Sequence, residues 1–274
     1  MLSKEKLLAY AKKSGIDLVA VAPAERFADV EPQRSPLTIF PQARSILICA
    51  REIPRGTFRG IEEGTLWSRA GRLIEAIHMY ALARCLEDEG AIAVPCSPLA
   101  AERWPEGVPF RGGKIEPNVY PELEYAVVAC GLGEIGTCGL VLTPQFGTRQ
   151  ALGMIITDLE IETDPVFTGH VCDREHCVDC VEACPMGAIE PAKATERTIC
   201  GVTFRVAGVN RLKCRYCPNG AFPDTTHKEA MPNRLTAACG RACLAHLDAS
   251  GTLERQYRTP FRRRPPWGFD LNDL

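Results

Sequence analysis

Two spacings of apolar residues alternate along the first half of the chain. Leu73, Ile74, Ile77, Ala81, Leu82, Cys85 and Leu86 recur at helical spacing, so residues 67–89 read as a helix, with Gly90 as its stop. Leu2–Ser14 reads as a shorter helix, capped by Ser3 and closed by Gly15. Between these helices, Leu18–Ala22 and Ser45–Cys49 are short, apolar, β-branched runs that read as buried strands, and Ala91–Val94 is a third. A proline-rich stretch, 95–121, interrupts the pattern. A helix over Glu122–Cys130 follows, then a glycine-rich turn, Gly131–Gly136. Gly139–Leu142 and Ala151–Thr157 are expected to pair as strands around Pro144–Gly147. No repeat of solenoid length is present.

Composition narrows the class. With 274 residues, 46% hydrophobic and 24% charged, the chain has the balance of a globular protein of one or two domains. A net charge of −2 supplies no basic field for nucleic acid. No apolar run approaches a membrane span, and the first residues lack the pattern of a secretory signal, so a cytoplasmic location is expected.

The fourteen cysteines change the picture. Cys49, Cys85, Cys96, Cys130 and Cys138 are scattered among apolar neighbours and read as ordinary buried thiols. The other nine, Cys172, Cys177, Cys180, Cys184, Cys200, Cys214, Cys217, Cys239 and Cys243, crowd into one region and read as metal ligands. Cys177, Cys180, Cys184 and Pro185 form the C-x2-C-x3-C-P half of a bacterial ferredoxin run, whose last cysteine serves a second cluster. Arg174 stands where the usual first cysteine would be, and Cys172 lies two residues further out. The expected assignment crosses the sequence. One four-iron cluster takes Cys172, Cys177, Cys180 and either Cys239 or Cys243; the other takes Cys184, Cys200, Cys214 and Cys217. One thiol is left over, either inert or serving a cluster larger than a cubane. Structural zinc, completed by His170, His176 or His227, is the alternative, but it gives no reason for the Cys-Pro step.

The segment Ala129–Gly136, followed by Leu140–Pro144, Ile155–Asp158 and the cysteine run, resembles epoxyqueuosine reductase and the related reductive dehalogenases. The resemblance covers residues from roughly 40 to 220. It implies an α+β fold: a nitroreductase-like α/β domain (1–165), a ferredoxin-like module with two four-iron clusters (166–250) and a basic tail (251–274). It also implies cobalamin over the first domain, approached by Gly131, Gly133 and Gly136, and low-potential electrons delivered through the clusters. An anaerobic source is part of the same implication.

The departures from this family are specific. Pro117 and Glu116 occupy the region of the family's catalytic aspartate, and Ala221 stands at the family's last cluster cysteine. The tRNA-binding helical extension does not follow, so epoxyqueuosine reduction itself is not expected. The implied partners are a low-potential electron donor and a corrinoid protein or methyltransferase, without nucleic acid or membrane. An electron-transfer or corrinoid-handling accessory, with no substrate chemistry of its own, is the second reading. A redox sensor with an empty or flavin-bearing first domain is the third.

Remaining candidates are weaker. The turn matches G-x-G-x-x-G, but a dinucleotide site needs a strand before it and a helix after it, the reverse of this context. Glu116 and Tyr120, with Glu122 and Glu124, are candidate proton donors; carboxylates near a helix start also favour its dipole without any catalytic role. His78 reads as a core residue within the helix, and Arg255, Arg258 and Arg262–Arg264 as a solvated basic tail.

Overall fold

The computed structural model describes residues 2–62, 79–96, 119–217 and 234–261. Its first layer is a four-stranded antiparallel sheet of order β1-β2-β6-β3, formed by β1 (Leu18–Pro23), β2 (Ser45–Glu52), β6 (Gln150–Thr157) and β3 (Ala93–Cys96). Alternation along the central strands sorts two cores onto its two faces. Val21, Leu47, Cys49 and Ile155 face α1 (Lys4–Lys13) and the helix at 79–88, here α4. Ala20, Ile46, Ile48, Met154 and Ile156 face α5 (Leu123–Ala129), whose residues Ala126–Ala129 are fully buried. The sheet is thus covered on both faces, which is why its strands read as continuous apolar runs.

The Ser3 hydroxyl caps α1 by accepting from the Lys6 N–H at 3.3 Å, as read from the sequence. Residues 67–78 of the expected long helix, including His78, lie outside the described residues, as do Glu116, Pro117, Ala221, His227 and Arg262–Arg264. Two short helices, α2 (Pro36–Ile39) and α3 (Arg55–Glu62), flank β2.

Two expectations are corrected. The segment after the glycine-rich turn does not pair with residues 151–157. Instead β5 (Val141–Leu142) pairs with β4 (Glu134–Ile135) inside the turn itself, and β6 pairs with β2 and β3. The segment 251–261 is also no free tail: Arg255 and Arg258 are exposed as expected, but the segment is tied down. The Tyr257 hydroxyl accepts from the buried Arg149 at 2.8 Å, and Arg255 pairs with Glu52, fixing the segment to the end of the sheet.

The cysteine-bearing part adds α6 (Asp179–Glu182), an antiparallel hairpin of β7 (Ile189–Ile199) and β8 (Val202–Val209), α7 (Arg211–Arg215) and α8 (Ala238–Ala249). Ile199 and Phe204 of the hairpin join the core beneath α5, coupling this part to the sheet. Among the described residues no helix is long and apolar enough to cross a membrane.

Candidate metal centre

Helix α8 organises the site. Cys239 and Cys243 stand four residues apart, hence on one face and one turn apart along the axis. Cys239 faces a small enclosed cavity that it shares with Cys184, Cys214 and Cys217, closed by Pro185, Ile189 and Ala237. Cys243 lies within electrostatic range of Cys172 and Cys177, and Cys180 senses both Cys243 and Cys172. Cys239 thus shares a cavity with three of the expected cysteines, while Cys243, one turn on, packs near Cys172 and Cys180.

Local structure explains each placement. Cys180 lies on α6, and Cys184 follows immediately, its amide donating to the Val181 carbonyl at 3.2 Å. Pro185 ends this turn, since it has no amide to continue the helix. Cys214 lies on α7, where the Asn210 side chain caps the helix by accepting from the Lys213 N–H at 3.1 Å. Cys217 turns back with its amide on the Cys214 carbonyl at 3.2 Å.

Cys200 does not line this cavity. Cys200 and Gly201 form the two-residue connection between β7 and β8, with φ of 48° and 83°. Its thiol reaches the Arg26 carbonyl at 3.9 Å and packs on the sheet-facing core. Cys239 occupies the place expected of it.

Amide and hydroxyl donors already point at sulfur. The Thr137 N–H and hydroxyl both lie 3.4 Å from Cys172 Sγ, and the Ala188 N–H donates to Cys184 Sγ at 3.2 Å. Burial raises the Cys214 thiol to about 11 and the Cys239 thiol to about 12, so without a metal these groups stay protonated. A bound metal reverses this, since a coordinating thiol is deprotonated outright.

The loop before Cys177 hangs on Glu134, a buried residue of the glycine-rich turn. Its carboxylate accepts from the amides of Val171 and Cys172 and pairs with Arg174 at 2.8 Å. The arginine in the usual cysteine position is thus an anchor of the loop that presents Cys172. The three turn glycines face protein. A Cβ on Gly131 would lie 1.9 Å from the Pro165 carbonyl oxygen, one on Gly133 2.1 Å from the Leu142 carbonyl oxygen, and one on Gly136 3.0 Å from the Leu142 side chain.

Sequence reasoning missed two residues. Cys138, read as a scattered core thiol, is buried beside Cys180. A hydrogen bond from Cys180, aided by the nearby Arg234 guanidinium, holds Cys138 below the usual thiol range despite burial, while the same contact raises Cys180. His246, on α8, brings a ring nitrogen together with Cys177 and Asp179, their ligand atoms within 4.8 Å of one another. Its position one turn beyond Cys243 was the only sequence signal. By contrast His170 is exposed, and His176 is exposed and paired with Asp173 at 2.9 Å.

The other candidates fall outside the metal centre. The Tyr120 amide donates to the Gln33 carbonyl at 2.7 Å. Glu122 pairs with Arg197 and, at 3.5 Å, with Arg34 along an open cleft. Burial raises the Glu124 carboxyl above its usual range. Cys49 and Cys130 are buried core thiols, as expected.

No family model matches the chain. A stretch of 69 residues is 41% identical to tetrachloroethene reductive dehalogenases of Desulfitobacterium hafniense and Dehalobacter restrictus, covering 24% of this chain and 12% of theirs. Among solved structures, a catabolic reductive dehalogenase in complex with 3-bromo-4-hydroxybenzoic acid aligns at a TM-score of 0.59 and 18% identity, over 91% of this chain and 34% of that one. An epoxyqueuosine reductase with an epoxyqueuosine-modified tRNA stem loop aligns at 0.52 and 16%, over 89% and 67%. The fold is therefore that of the family whose motifs the sequence resembles, and this chain spans about a third of the dehalogenase.

Proposed function

We propose that the chain carries two four-iron clusters, one on Cys172, Cys177, Cys180 and Cys243 and the other on Cys184, Cys214, Cys217 and Cys239, and passes low-potential electrons to a corrinoid or substrate at the first domain. The observation that supports this most strongly is the divergence of Cys239 and Cys243 from one helix face into separate sets of four. Such soft, all-sulfur donor sets suit iron–sulfur clusters, and bound there the clusters would supply one-electron transfer at potentials anywhere from roughly −700 to +450 mV.

The protein's own residues set the conditions. Pro185, Ile189 and Ala237 present apolar surface to the second set, which disfavours added negative charge there. The Ala188 donor opposes that effect at Cys184, and the Thr137 donors stabilise sulfur charge at Cys172 of the first set. The buried Arg234 guanidinium borders the second set and carries a compensating positive charge beside it.

The electron-transfer accessory is the second reading, in which the acceptor is the corrinoid of a partner such as a methyltransferase. The glycine-rich turn favours it, because Gly131, Gly133 and Gly136 pack on Pro165 and Leu142 instead of leaving an open face for a cofactor. Partner choice, including nucleic acid of the kind one fold neighbour binds, is open to the same experiment.

The test is to mix dithionite-reduced, desalted protein with cob(II)alamin and follow the absorbance in a stopped-flow cell. Stoichiometric oxidation of the clusters with cobalamin reduction supports the first reading. Reduction seen only when the cobalt sits in a partner protein supports the accessory, and no transfer to cobalt in either form contradicts both.

A further inference from the structure

Five thiols, one more than a cubane needs, converge on the first set. The fifth is Cys138, at 2% exposure and packed in one buried cluster with Cys180. Its neighbours Cys180, Cys239 and Cys243 belong to the same buried cluster of side chains.

Cys138 is held in place by a turn built for it. The Gly139 amide donates to the Gly136 carbonyl at 2.8 Å, closing a tight turn with Thr137 and Cys138 at its centre. Gly139 has φ of 76°, a conformation that other residues rarely adopt. Both central carbonyls are engaged: the Thr137 oxygen accepts from the Ala207 amide at 2.8 Å, and the Cys138 oxygen from Arg234 at 2.6 Å. This fixed dipeptide touches two sulfurs of the set at once. Thr137 donates to Cys172 Sγ, and Cys138 contacts Cys180. Cys138 and the residue that donates to Cys172 thus stand side by side in one turn.

Cys172 is carried on a loop, tied through its amide to Glu134, and not on a helix. It is half-buried, it precedes the C-x2-C pair by a loop, and it lies two residues outside the place that Arg174 fills. Cys177 and Cys180 are tied to α6, and Cys243 to α8.

We propose that Cys138 and Cys172 share one iron corner of the first cluster, either thiolate serving as its fourth ligand. The exchange is a ligand substitution without change of oxidation state. The iron–sulfur bond to one cysteine breaks as the bond to the other forms, and the proton lost by the entering thiol goes to the leaving thiolate. The inference rests on the two-cluster reading above.

The experiment compares wild type, Cys138→Ala, Cys172→Ala, the double variant and Cys177→Ala as control. All are purified anaerobically, checked for folding by circular dichroism, and assayed for iron and by electron paramagnetic resonance. Sharing predicts that Cys172→Ala keeps both four-iron clusters, as Cys138→Ala does. Only the double variant and the control would lose a corner iron and show a three-iron signal on oxidation. A three-iron signal in Cys172→Ala alone overturns the proposal. If Cys172→Ala does not fold, the reduced wild-type spectrum decides: sharing predicts two overlapping signals from the first cluster, of which Cys138→Ala keeps one. Superimposable wild-type and Cys138→Ala spectra overturn it. Failure of the two-cluster reading is separate, because wild type would then hold zinc or well under eight irons per chain.

Discussion

Glu134 and Arg174 form an ion pair of 2.8 Å across forty residues of sequence, with the glutamate side chain 1% exposed. The pair joins the glycine-rich turn to the cysteine loop, and the same carboxylate holds the Val171 amide at 2.8 Å. Removing the carboxylate leaves a partly buried guanidinium and two amides without their acceptor. Glu134→Ala is expected to cost about 3 kcal/mol, the scale for breaking a buried pair from one side. Urea unfolding of the iron-free protein checks this; a loss below about 1 kcal/mol would mean the pair is a surface-like contact.

Cys239 and Cys200 make a direct contrast. Cys239→Ala is expected to lower the iron content, with the second cluster reduced to a three-iron form or lost. Cys200→Asn is expected to leave the iron content unchanged, because the residue sits in a hairpin turn with positive φ that asparagine accepts. Iron assay of both variants against wild type is sufficient, and iron loss in Cys200→Asn would show that the thiol reaches a cluster.

Thr137 offers its hydroxyl to Cys172 at 3.4 Å. A donor on a ligand sulfur stabilises the reduced cluster, which carries one more negative charge, over the oxidised one. Thr137→Val keeps the shape and the amide but removes the hydroxyl. The first cluster's potential is expected to fall on the order of 40 mV, the equivalent of about 1 kcal/mol for one electron. A redox titration followed by electron paramagnetic resonance reads this shift.

Buried core thiols give a pH dependence. Burial raises Cys49 to about 12 from a usual value of 9.0. Above pH 9 the unfolded chain loses protons that the folded chain keeps, so stability is fully present below pH 9 and falls as pH rises toward 12. The slope is about 1 kcal/mol per pH unit for each such thiol. Urea midpoints between pH 8 and 11 are expected to fall more gently in Cys49→Ala than in wild type; parallel slopes would contradict the assignment.

Much of the sheet was legible because it is simple. Ser45–Cys49 and Ala151–Thr157 are covered on both faces and so read as unbroken apolar runs. The β7–β8 hairpin was not legible, since most of β7 is solvent-facing on both sides and carries no clear alternation. That hairpin places Cys200 in its turn, a position that the count of residues from Cys184 does not reveal. Spacing identified the C-x2-C-x3-C-P run but left Cys239 and Cys243 as alternatives; helical geometry gives them one set each. Cys138 looked like any small core thiol because the partner that distinguishes it, Cys180, is distant in sequence. Arg174 was visible as a departure, yet its reason, Glu134, is a tertiary contact.

Metal analysis of anaerobically purified protein, joined to electron paramagnetic resonance after dithionite reduction, decides whether the cysteines hold two iron–sulfur clusters. Two clusters one helical turn apart predict about eight irons per chain, no zinc, and signals broadened by magnetic coupling between the clusters. Zinc in place of iron, or a single uncoupled cluster, would contradict the two-cluster reading.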